Sequence, residues 1–225
     1  MTTATPDSVN SDFSQPAMLA FDDIRWIPTP VAGVHRKPLD RIGAELARAT
    51  SIVRFDGGVS FPEHKHGLGE EILVLSGVFS DESGDFGPGA YVRNPPGSSH
   101  TPFSKEGCEF FVKLRQMRED DQARIVCDCA QAGWQEISLG YDRVDLFEAP
   151  DASEFVALER LAAGSATQER KLVGGEEILV LEGDLSVAGT VHQARTWLRQ
   201  PSGAAYALSS SNGARFWVKR GHLNI

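Results

Sequence analysis

The chain has few cysteines and no long apolar segment. Its 225 residues include only three cysteines: Cys108, Cys127 and Cys129. So small and odd a number is not a disulfide framework, and a lone Cys-x-Cys pair is a weak signal for a metal or redox site. No apolar run approaches the roughly 18 residues that a membrane helix needs. These absences exclude a disulfide-stapled secreted domain and predict that no helix crosses a membrane.

Positive charge is also scarce. The formal net charge is −9, and no run of Lys and Arg is longer than two residues. A nucleic-acid-binding protein carries a basic patch for phosphates, so we expect no nucleic-acid partner. The first 20 residues are rich in Ser, Thr, Asp and Pro, without the basic and apolar regions of a signal peptide. We therefore interpret residues 1–20 as a flexible tail, and expect a cytoplasmic protein with no membrane partner.

Helical periodicity is nearly absent. Short apolar runs, such as Ser51–Phe55, Glu71–Leu75 and Phe110–Leu114, alternate with clusters of Gly, Pro, Asp and Ser. Short strands at this even spacing predict an all-β fold of the sandwich or jelly-roll kind. Only Pro38–Ala49 has a spacing of apolar residues that suits one short helix or turn.

The sequence contains an internal duplication. Gly69–Leu75 aligns with Gly175–Leu181, an offset of 106 residues, and the glycines and prolines of the turns align at the same offset. A register without gaps across several turns indicates two copies of one domain. We predict a first barrel at residues 21–128 and a second at residues 129–225.

The first copy contains side chains suited to a metal ion. His64 and His66 are two residues apart, so on a strand they lie on the same face. Glu70 follows them, and His100 is contributed by a later block. Three imidazole nitrogens and one carboxylate oxygen suit a divalent transition metal. Both an octahedral Fe, Mn or Ni centre with open positions and a closed tetrahedral Zn centre agree with this ligand set.

The residues around these four positions resemble the paired signature motifs of the cupin superfamily. The first block reads Gly-x5-His-x-His-x3-Glu-x6-Gly from Gly58 to Gly77, and the second reads Gly-x5-Pro-x-Gly-x2-His from Gly89 to His100. Ser104 stands where the second motif usually has Asn. The residues around the first block are most similar to those of the ChrR-like cupins. That subgroup includes the C-terminal domain of ChrR-type anti-sigma factors and small diketone-cleaving dioxygenases.

The resemblance implies two tandem cupin barrels, a bicupin, and one divalent metal (Zn or Fe, with Mn or Ni as alternatives). The metal ligands it implies are His64, His66, Glu70 and His100. The function it implies is that of a regulatory or metal-sensing cupin related to oxidative stress. The alternative is a non-haem Fe(II) dioxygenase that cleaves a small keto or diketo compound, so whether the chain is an enzyme stays open at this point.

The resemblance also bears on partners. A small-molecule ligand and a homodimer are both compatible with it. A sigma-factor partner is not expected, because nothing in residues 1–50 matches the His-x3-Cys-x2-Cys signature of the anti-sigma zinc domain. For the dioxygenase alternative, the candidates for the pocket wall are Phe61, Phe103 and Phe110, and Arg54 is a candidate for neutralising an enolate.

In the second copy the ligand positions are changed. Arg170 and Leu172 align with the paired histidines, Tyr206 aligns with His100, and only Glu176 keeps its type. Arginine stays protonated and offers no lone pair, so we expect a degenerate, metal-free barrel. The guanidinium of Arg170 is long enough to reach the carboxylate of Glu176, and the hydroxyl of Tyr206 can add a second donor. We therefore predict that these three side chains meet where the metal would be.

Overall fold

The structure is a computed structural model that describes residues 6–44 and 46–223. Strands make up its regular structure, and the helix that it contains in these residues is a single 3-10 turn at Phe21–Asp23. Within the same residues, no helix has the length and apolar character needed to cross a bilayer. The predicted all-β fold is confirmed.

The strands up to residue 128 are β1 (Ser8–Val9), β2 (Ala17–Ala20), β3 (Ile27–Pro28), β4 (Val34–Ile42), β5 (Arg48–Phe55), β6 (Val59–Ser60), β7 (His64–Lys65), β8 (Glu70–Gly77), β9 (Phe79–Asp81), β10 (Gly84–Phe86), β11 (Ala90–Asn94), β12 (Ser99–His100), β13 (Phe103–Ser104), β14 (Cys108–Leu114) and β15 (Ile125–Asp128). The later strands are β16 (Gln135–Ser138), β17 (Tyr141–Glu148), β18 (Phe155–Leu161), β19 (Arg170–Lys171), β20 (Glu176–Val187), β21 (Thr190–Gln193), β22 (Thr196–Gln200), β23 (Ala205–Tyr206), β24 (Leu208–Ser209) and β25 (Ala214–Arg220).

The chain divides into two compact units. The first contains the described residues up to Ser11 together with residues 24–132, and the second contains residues 12–23 and 133–223. In the first unit the large antiparallel sheet has the order β1-β4-β5-β14-β8-β11-β15, and a smaller sheet has the order β10-β9-β13-β6. In the second unit the large sheet has the order β16-β17-β18-β25-β20-β22-β2. Each unit therefore places its longest strands in the same relative order, as the duplication predicts.

Period-two alternation decides which side chains face the interior of the first unit. On β8, Ile72 and Val74 are buried in the apolar cluster, and Glu70 lies two residues before Ile72 on the same face. On β14, Phe110 and Val112 join the same cluster. The strand that carries the carboxylate thus directs it towards the interior rather than towards water.

The segment before the first barrel differs from the expected flexible tail of residues 1–20. Residues 1–5 lie outside the described residues, but β1 pairs with β4 of the first unit and β2 pairs with β22 of the second. Phe21 is 1% exposed. The composition of the segment is polar, yet it contains the apolar pair Met18 and Leu19, and backbone pairing with an existing sheet edge orders it.

Of the short helix or turn predicted within Pro38–Ala49, the helix is wrong, whereas bends at residues 43 and 44 and a turn at residue 46 follow β4. Pro38 and Leu39 lie within β4, which pairs with β5, and Leu39 is fully buried. The ladder shifts register between Pro38 and Asp40. Proline has no N–H to donate to a ladder, so a bulge at this point lets the strand continue past it.

Candidate metal centre

Two short strands and one long strand bring the four predicted side chains together. β7 pairs with β12, and their register sets His64 directly opposite His100. His66 follows β7, where its backbone N–H donates to the carbonyl oxygen of Ser98 at 2.9 Å. Its own carbonyl accepts from the N–H of Gly97 at 2.7 Å, in a turn where Gly97 has a φ of 82°. The turn that the second motif encodes therefore fixes His66 beside β12.

The four side chains converge on one point. The Nε2 atoms of His64 and His66 are 3.4 Å apart, and Oε2 of Glu70 is 3.3 Å from Nε2 of both His66 and His100. One ligand atom from each residue lies within 4.8 Å of all the others. His66, Glu70 and His100 are buried, whereas His64 is half-buried.

This spacing fits a divalent cation. Ligand atoms at about 2.0–2.2 Å from a common ion lie about 2.8–3.1 Å from their neighbours in octahedral geometry and about 3.3–3.6 Å in tetrahedral geometry. The Nε2 atom of His100 is also buried and has no hydrogen-bond partner among the described residues. A buried polar atom without a partner calls for an explanation, and a bound cation provides one.

Hydrogen bonds on the far side of each ring aim the three Nε2 atoms at that point. Nδ1 of His64 donates to the carbonyl oxygen of Pro62 at 3.0 Å, and Nδ1 of His66 lies 3.0 Å from Oγ of Ser98. Nδ1 of His100 is 3.1 Å from Oδ2 of Asp81. Such outer partners hold metal-binding imidazoles in one tautomer and orientation. Sequence reasoning missed these partners, because Pro62 and Ser98 are variable positions of the two motifs and Asp81 lies between the motifs.

The pKa values of the two buried histidines are shifted in opposite directions. Burial lowers the pKa of His100, but the hydrogen bond with Asp81 and the charge of Glu70 outweigh it and raise the pKa above its usual value. Burial lowers the pKa of His66, and this outweighs the attraction of Glu70, so the ring is neutral at neutral pH. Burial raises the pKa of Asp81, but hydrogen bonds from His100 and Ser83 outweigh it and bring the value to about 2. Asp81 is therefore an anion that supports the ring of His100. Asn94 donates to Oε2 of Glu70 at 3.2 Å and orients that carboxylate in the same way.

A cavity of about 150 Å³ adjoins this cluster. Among the residues that line it are His64, Glu70 and His100. Its other walls are mainly apolar: Val34, Val53, Phe55, Phe61, Phe79, Pro102, Phe110, Val112 and Leu114. Three of the four candidate ligands thus face a largely apolar cavity.

The predicted pocket walls are confirmed only in part. Phe61 and Phe110 line the cavity, whereas Phe103 does not. Arg54 is not in the lining either: its guanidinium stacks on Trp26 at 4.7 Å and faces Asp56 at 3.6 Å. The cation that does line the cavity is Arg36 on β4. Val34 and Arg36 are two residues apart, so on a strand their side chains lie on the same face. This spacing is the sequence signal that could have placed the side chain of Arg36 in the cavity wall.

In the second unit the predicted contact between Arg170 and Glu176 is confirmed. Nη2 of Arg170 and the hydroxyl of Tyr206 both donate to the carboxylate of Glu176, which is fully buried. Sequence reasoning missed Arg220, whose Nε donates to Glu176 at 2.6 Å and whose Nη2 is 2.7 Å from Glu159. Burial raises the pKa of Glu176, but the two arginines outweigh it and lower the pKa below its usual value. The guanidinium groups of Arg170 and Arg220 are therefore the positive partners of the Glu176 carboxylate.

Comparison with protein families gives two matches along the chain. The family model described as "ChrR Cupin-like domain" matches residues 14–118 and again residues 122–224. The anti-sigma-E factor ChrR of Cereibacter sphaeroides is 34% identical over 88 residues, which are 39% of this chain and 39% of that protein. The match thus spans well under half of the length of this relative.

Solved structures share the fold at low sequence identity. A candidate dioxygenase from Nostoc punctiforme superposes with a TM-score of 0.73 at 15% identity, covering 94% of this chain and 85% of that one. A cupin 2 conserved barrel domain protein from Leptotrichia buccalis gives 0.62 at 12% identity, with 95% and 99% covered. The oxalate decarboxylase of Lactobacillus farciminis gives 0.64 at 12%, with 92% and 86% covered. These likenesses establish tandem cupin barrels as the fold.

Proposed function

The chain belongs to the ChrR cupin-like domain family, and we propose that its first unit is a metal-dependent enzyme, a non-haem Fe(II) dioxygenase that cleaves a small keto or diketo compound. The observation that carries this proposal is the apolar cavity against the cluster of His64, Glu70 and His100. A structural zinc site is closed by its four ligands, whereas a catalytic site keeps a position open towards its substrate. A cavity in contact with the ligand groups favours the open site.

The proposed roles follow from the surroundings of each group. His64, His66, Glu70 and His100 would hold the ion, which when bound polarises a carbonyl group and exchanges electrons with dioxygen. Asp81 and Asn94 hold the orientation of His100 and Glu70 through the hydrogen bonds described above. The phenylalanine walls exclude water from the reacting atoms, which protects them from side reactions.

The proposed reaction balances without an external reductant. A 1,3-diketone and dioxygen yield a carboxylic acid and a 2-oxoaldehyde. One carbon–carbon bond breaks, and one oxygen atom of dioxygen enters each fragment. The substrate itself supplies the electrons that reduce dioxygen.

Oxygen uptake tests the proposal. The protein is purified anaerobically, loaded with Fe(II) and mixed with a panel of small diketones and keto acids in an oxygen electrode. We expect uptake with at least one compound, none with His66→Ala, and unchanged uptake with His192→Ala, since His192 lies on β21 of the second unit. An iron-loaded protein that consumes no oxygen with any compound of the panel would contradict a dioxygenase.

A regulatory or metal-sensing cupin is the second candidate. Its support is the similarity to the anti-sigma-E factor ChrR over 88 residues. This candidate predicts a closed site that keeps its zinc ion during dialysis against a chelator, and no oxygen uptake with any compound of the panel. Zinc retention measured beside oxygen uptake therefore separates the two candidates.

A further inference from the structure

Arg36 is a cation in an otherwise apolar part of the cavity wall. It lies on β4, where its backbone is paired with Ile27 on one side and Val53 on the other. Its side chain lines the same cavity as His64, Glu70 and His100. The Nε atom of Arg36 is buried and has no hydrogen-bond partner among the described residues.

Carboxylates neutralise a buried arginine in the second unit, whereas the aligned positions of the first unit carry no charge. In the second unit, Arg220 is neutralised by Glu159 and Glu176. At the offset of the duplication, Val53 aligns with Glu159 and Leu114 aligns with Arg220. Both of these first-unit residues are apolar and line the cavity. Val53 is also the residue paired with Arg36 across the β4–β5 ladder, so this neighbour offers Arg36 no carboxylate.

Glu70 is the one carboxylate in the cavity lining, and its contacts lie elsewhere. Its Oε2 atom is 3.3 Å from His66 and His100, and it accepts from Asn94. No ion pair joins Arg36 to a carboxylate in the described part of the chain. Burial lowers the pKa of Arg36, and repulsion from Arg41 adds to this, yet a guanidinium keeps its proton in proteins. Arg36 as a whole is half-buried and its Nε atom is buried, so its charge has lost part of its hydration, and a bound anion would offset that loss.

We propose that the cavity binds a small monocarboxylate whose carboxylate group pairs with Arg36 and whose apolar body packs against the phenylalanine and valine walls. The planar guanidinium can bind both oxygens of a carboxylate, which a point charge cannot do. An apolar cavity of about 150 Å³ accepts a molecule of roughly the size of benzene. This inference deepens the proposed function and rests on it only for the reaction: the substrate becomes a diketone that also carries a carboxylate, and the same carbon–carbon bond breaks with one oxygen atom entering each fragment.

Binding of a matched pair of probes tests this inference without turnover. 3-Methylbutanoate and 3-methylbutanamide have the same shape, but only the first carries a negative charge. Their affinities are measured by calorimetry with the full chain, both metal-free and loaded with zinc. We expect the carboxylate to bind at least about tenfold more tightly than the amide in both forms, as charge-assisted pairing implies.

Variants of Arg36 and Arg54 show whether Arg36 causes the difference in affinity between the two probes. Arg36→Met keeps the length of the side chain and removes its charge, so it should abolish the preference for the carboxylate and leave the affinity for the amide unchanged. Arg54→Met is the matched control, since Arg54 lies outside the cavity on the neighbouring β5 and should leave both affinities unchanged. If Arg36→Met does not fold, Arg36→Lys should retain part of the preference, because it retains the charge.

Three results would overturn the inference. They are equal affinities of the wild-type protein for the two probes, no binding of the carboxylate to the wild-type protein, and an equal loss of both affinities in Arg36→Met. Since neither probe is turned over and zinc does not react with dioxygen, such a result is distinguishable from a failure of the dioxygenase proposal. A protein that binds 3-methylbutanoate through Arg36 but consumes no oxygen with any diketone that carries a carboxylate would retain the binding site and lose only the reaction.

Discussion

Asp81 shows how a residue outside the ligand set controls it. Its carboxylate accepts from Nδ1 of His100 and from the backbone N–H of Ser83 at 2.7 Å, and these bonds keep it ionised. The ring of His100 is thereby fixed with its Nε2 atom towards Glu70. At the scale of single residues, the ligands form the site and such outer partners adjust its affinity.

Asp81→Asn should therefore weaken the binding of a divalent metal by about 10–100-fold without changing the stoichiometry at saturating metal. An amide cannot stabilise the ring of His100 as an anion does, and it can present the wrong group to Nδ1. The control is Asp85→Asn, since Asp85 accepts from Oγ of Ser80 at 2.6 Å and makes no hydrogen bond to a histidine among the described residues. Zinc affinity measured by competition with a chelator checks both, and an affinity of Asp81→Asn equal to that of Asp85→Asn would contradict the assigned role.

The buried ion network of the second unit gives a prediction about stability. Arg220 bonds to both Glu159 and Glu176, whereas Arg170 bonds to Glu176 and is 24% exposed. Arg220→Ala leaves two buried carboxylates short of a partner, so it should lower the free energy of unfolding by about 3–5 kcal/mol. Arg170→Ala should cost less, because Arg220 still pairs with Glu176.

Urea denaturation followed by tryptophan fluorescence measures this difference. The control is Arg215→Ala, which removes an exposed pair with Glu182 and should change stability by no more than about 1 kcal/mol. Equal effects of Arg170→Ala and Arg220→Ala would show that the network does not hold the second unit in the way described.

At the scale of elements, the two glycines at the ends of the first motif, Gly58 and Gly77, are required for different reasons. Gly77 ends β8 with a φ of 68°, and an added Cβ would lie 2.1 Å from the carbonyl oxygen of Gly107. Gly58 has a φ of 80°, but an added Cβ would meet nothing within 4 Å. Only at Gly77 does the close approach of two backbones add to the need for a left-handed conformation.

Gly58→Ala should therefore cost about 1–2 kcal/mol from backbone strain alone. Gly77→Ala should cost clearly more, because the clash is with backbone and the end of β8 must move. The two variants are matched in φ and in the residue introduced, so the comparison isolates the clash. Chemical denaturation of both measures it, and a Gly77→Ala protein no less stable than Gly58→Ala would refute the interpretation.

Part of the site could be predicted from sequence motifs, and part could not. The resemblance of the two motifs to the cupin signatures implied that His64, His66, Glu70 and His100 converge, whereas spacing alone placed only His64 and His66 on one face. The positions of Arg36 and Asp81 could not be predicted in the same way. Each belongs to a strand whose place beside the cavity depends on long-range pairing, and neither carries a local motif. The spacing of Leu39, Ile42 and Leu46 suggested a helix, although β4 continues past Pro38 through a bulge.

At the scale of the whole molecule, the segment before the first barrel belongs partly to the second unit. β2 extends the sheet of that unit by pairing with β22, and Arg199 stacks on Phe13 at 4.0 Å. Phe21 is buried, with Arg195 over its ring at 5.1 Å. The duplication predicted two barrels from sequence. It could not predict this membership, because residues 12–23 have no pattern that selects one sheet edge over another.

Phe21→Ala should therefore destabilise the second unit by about 3–5 kcal/mol, the usual cost of removing a buried aromatic ring. Hydrogen exchange resolved by peptide should show faster exchange in β20 and β22 and little change in β8 and β14. Phe13→Ala is a companion variant that removes the stacking on Arg199 without opening a buried cavity, and its effect should be smaller. Faster exchange confined to the first unit would contradict the division of the chain described here.

The metal content of the purified chain tests the central claim most directly. The protein is loaded with zinc, dialysed and analysed by elemental mass spectrometry, beside His66→Ala and the control His192→Ala. We predict one metal ion per chain for the wild-type protein and for His192→Ala. We predict much less than one for His66→Ala, because one of four converging ligands is lost. Full metal content in a folded His66→Ala protein, or none in the wild type, would contradict a metal centre at these four residues.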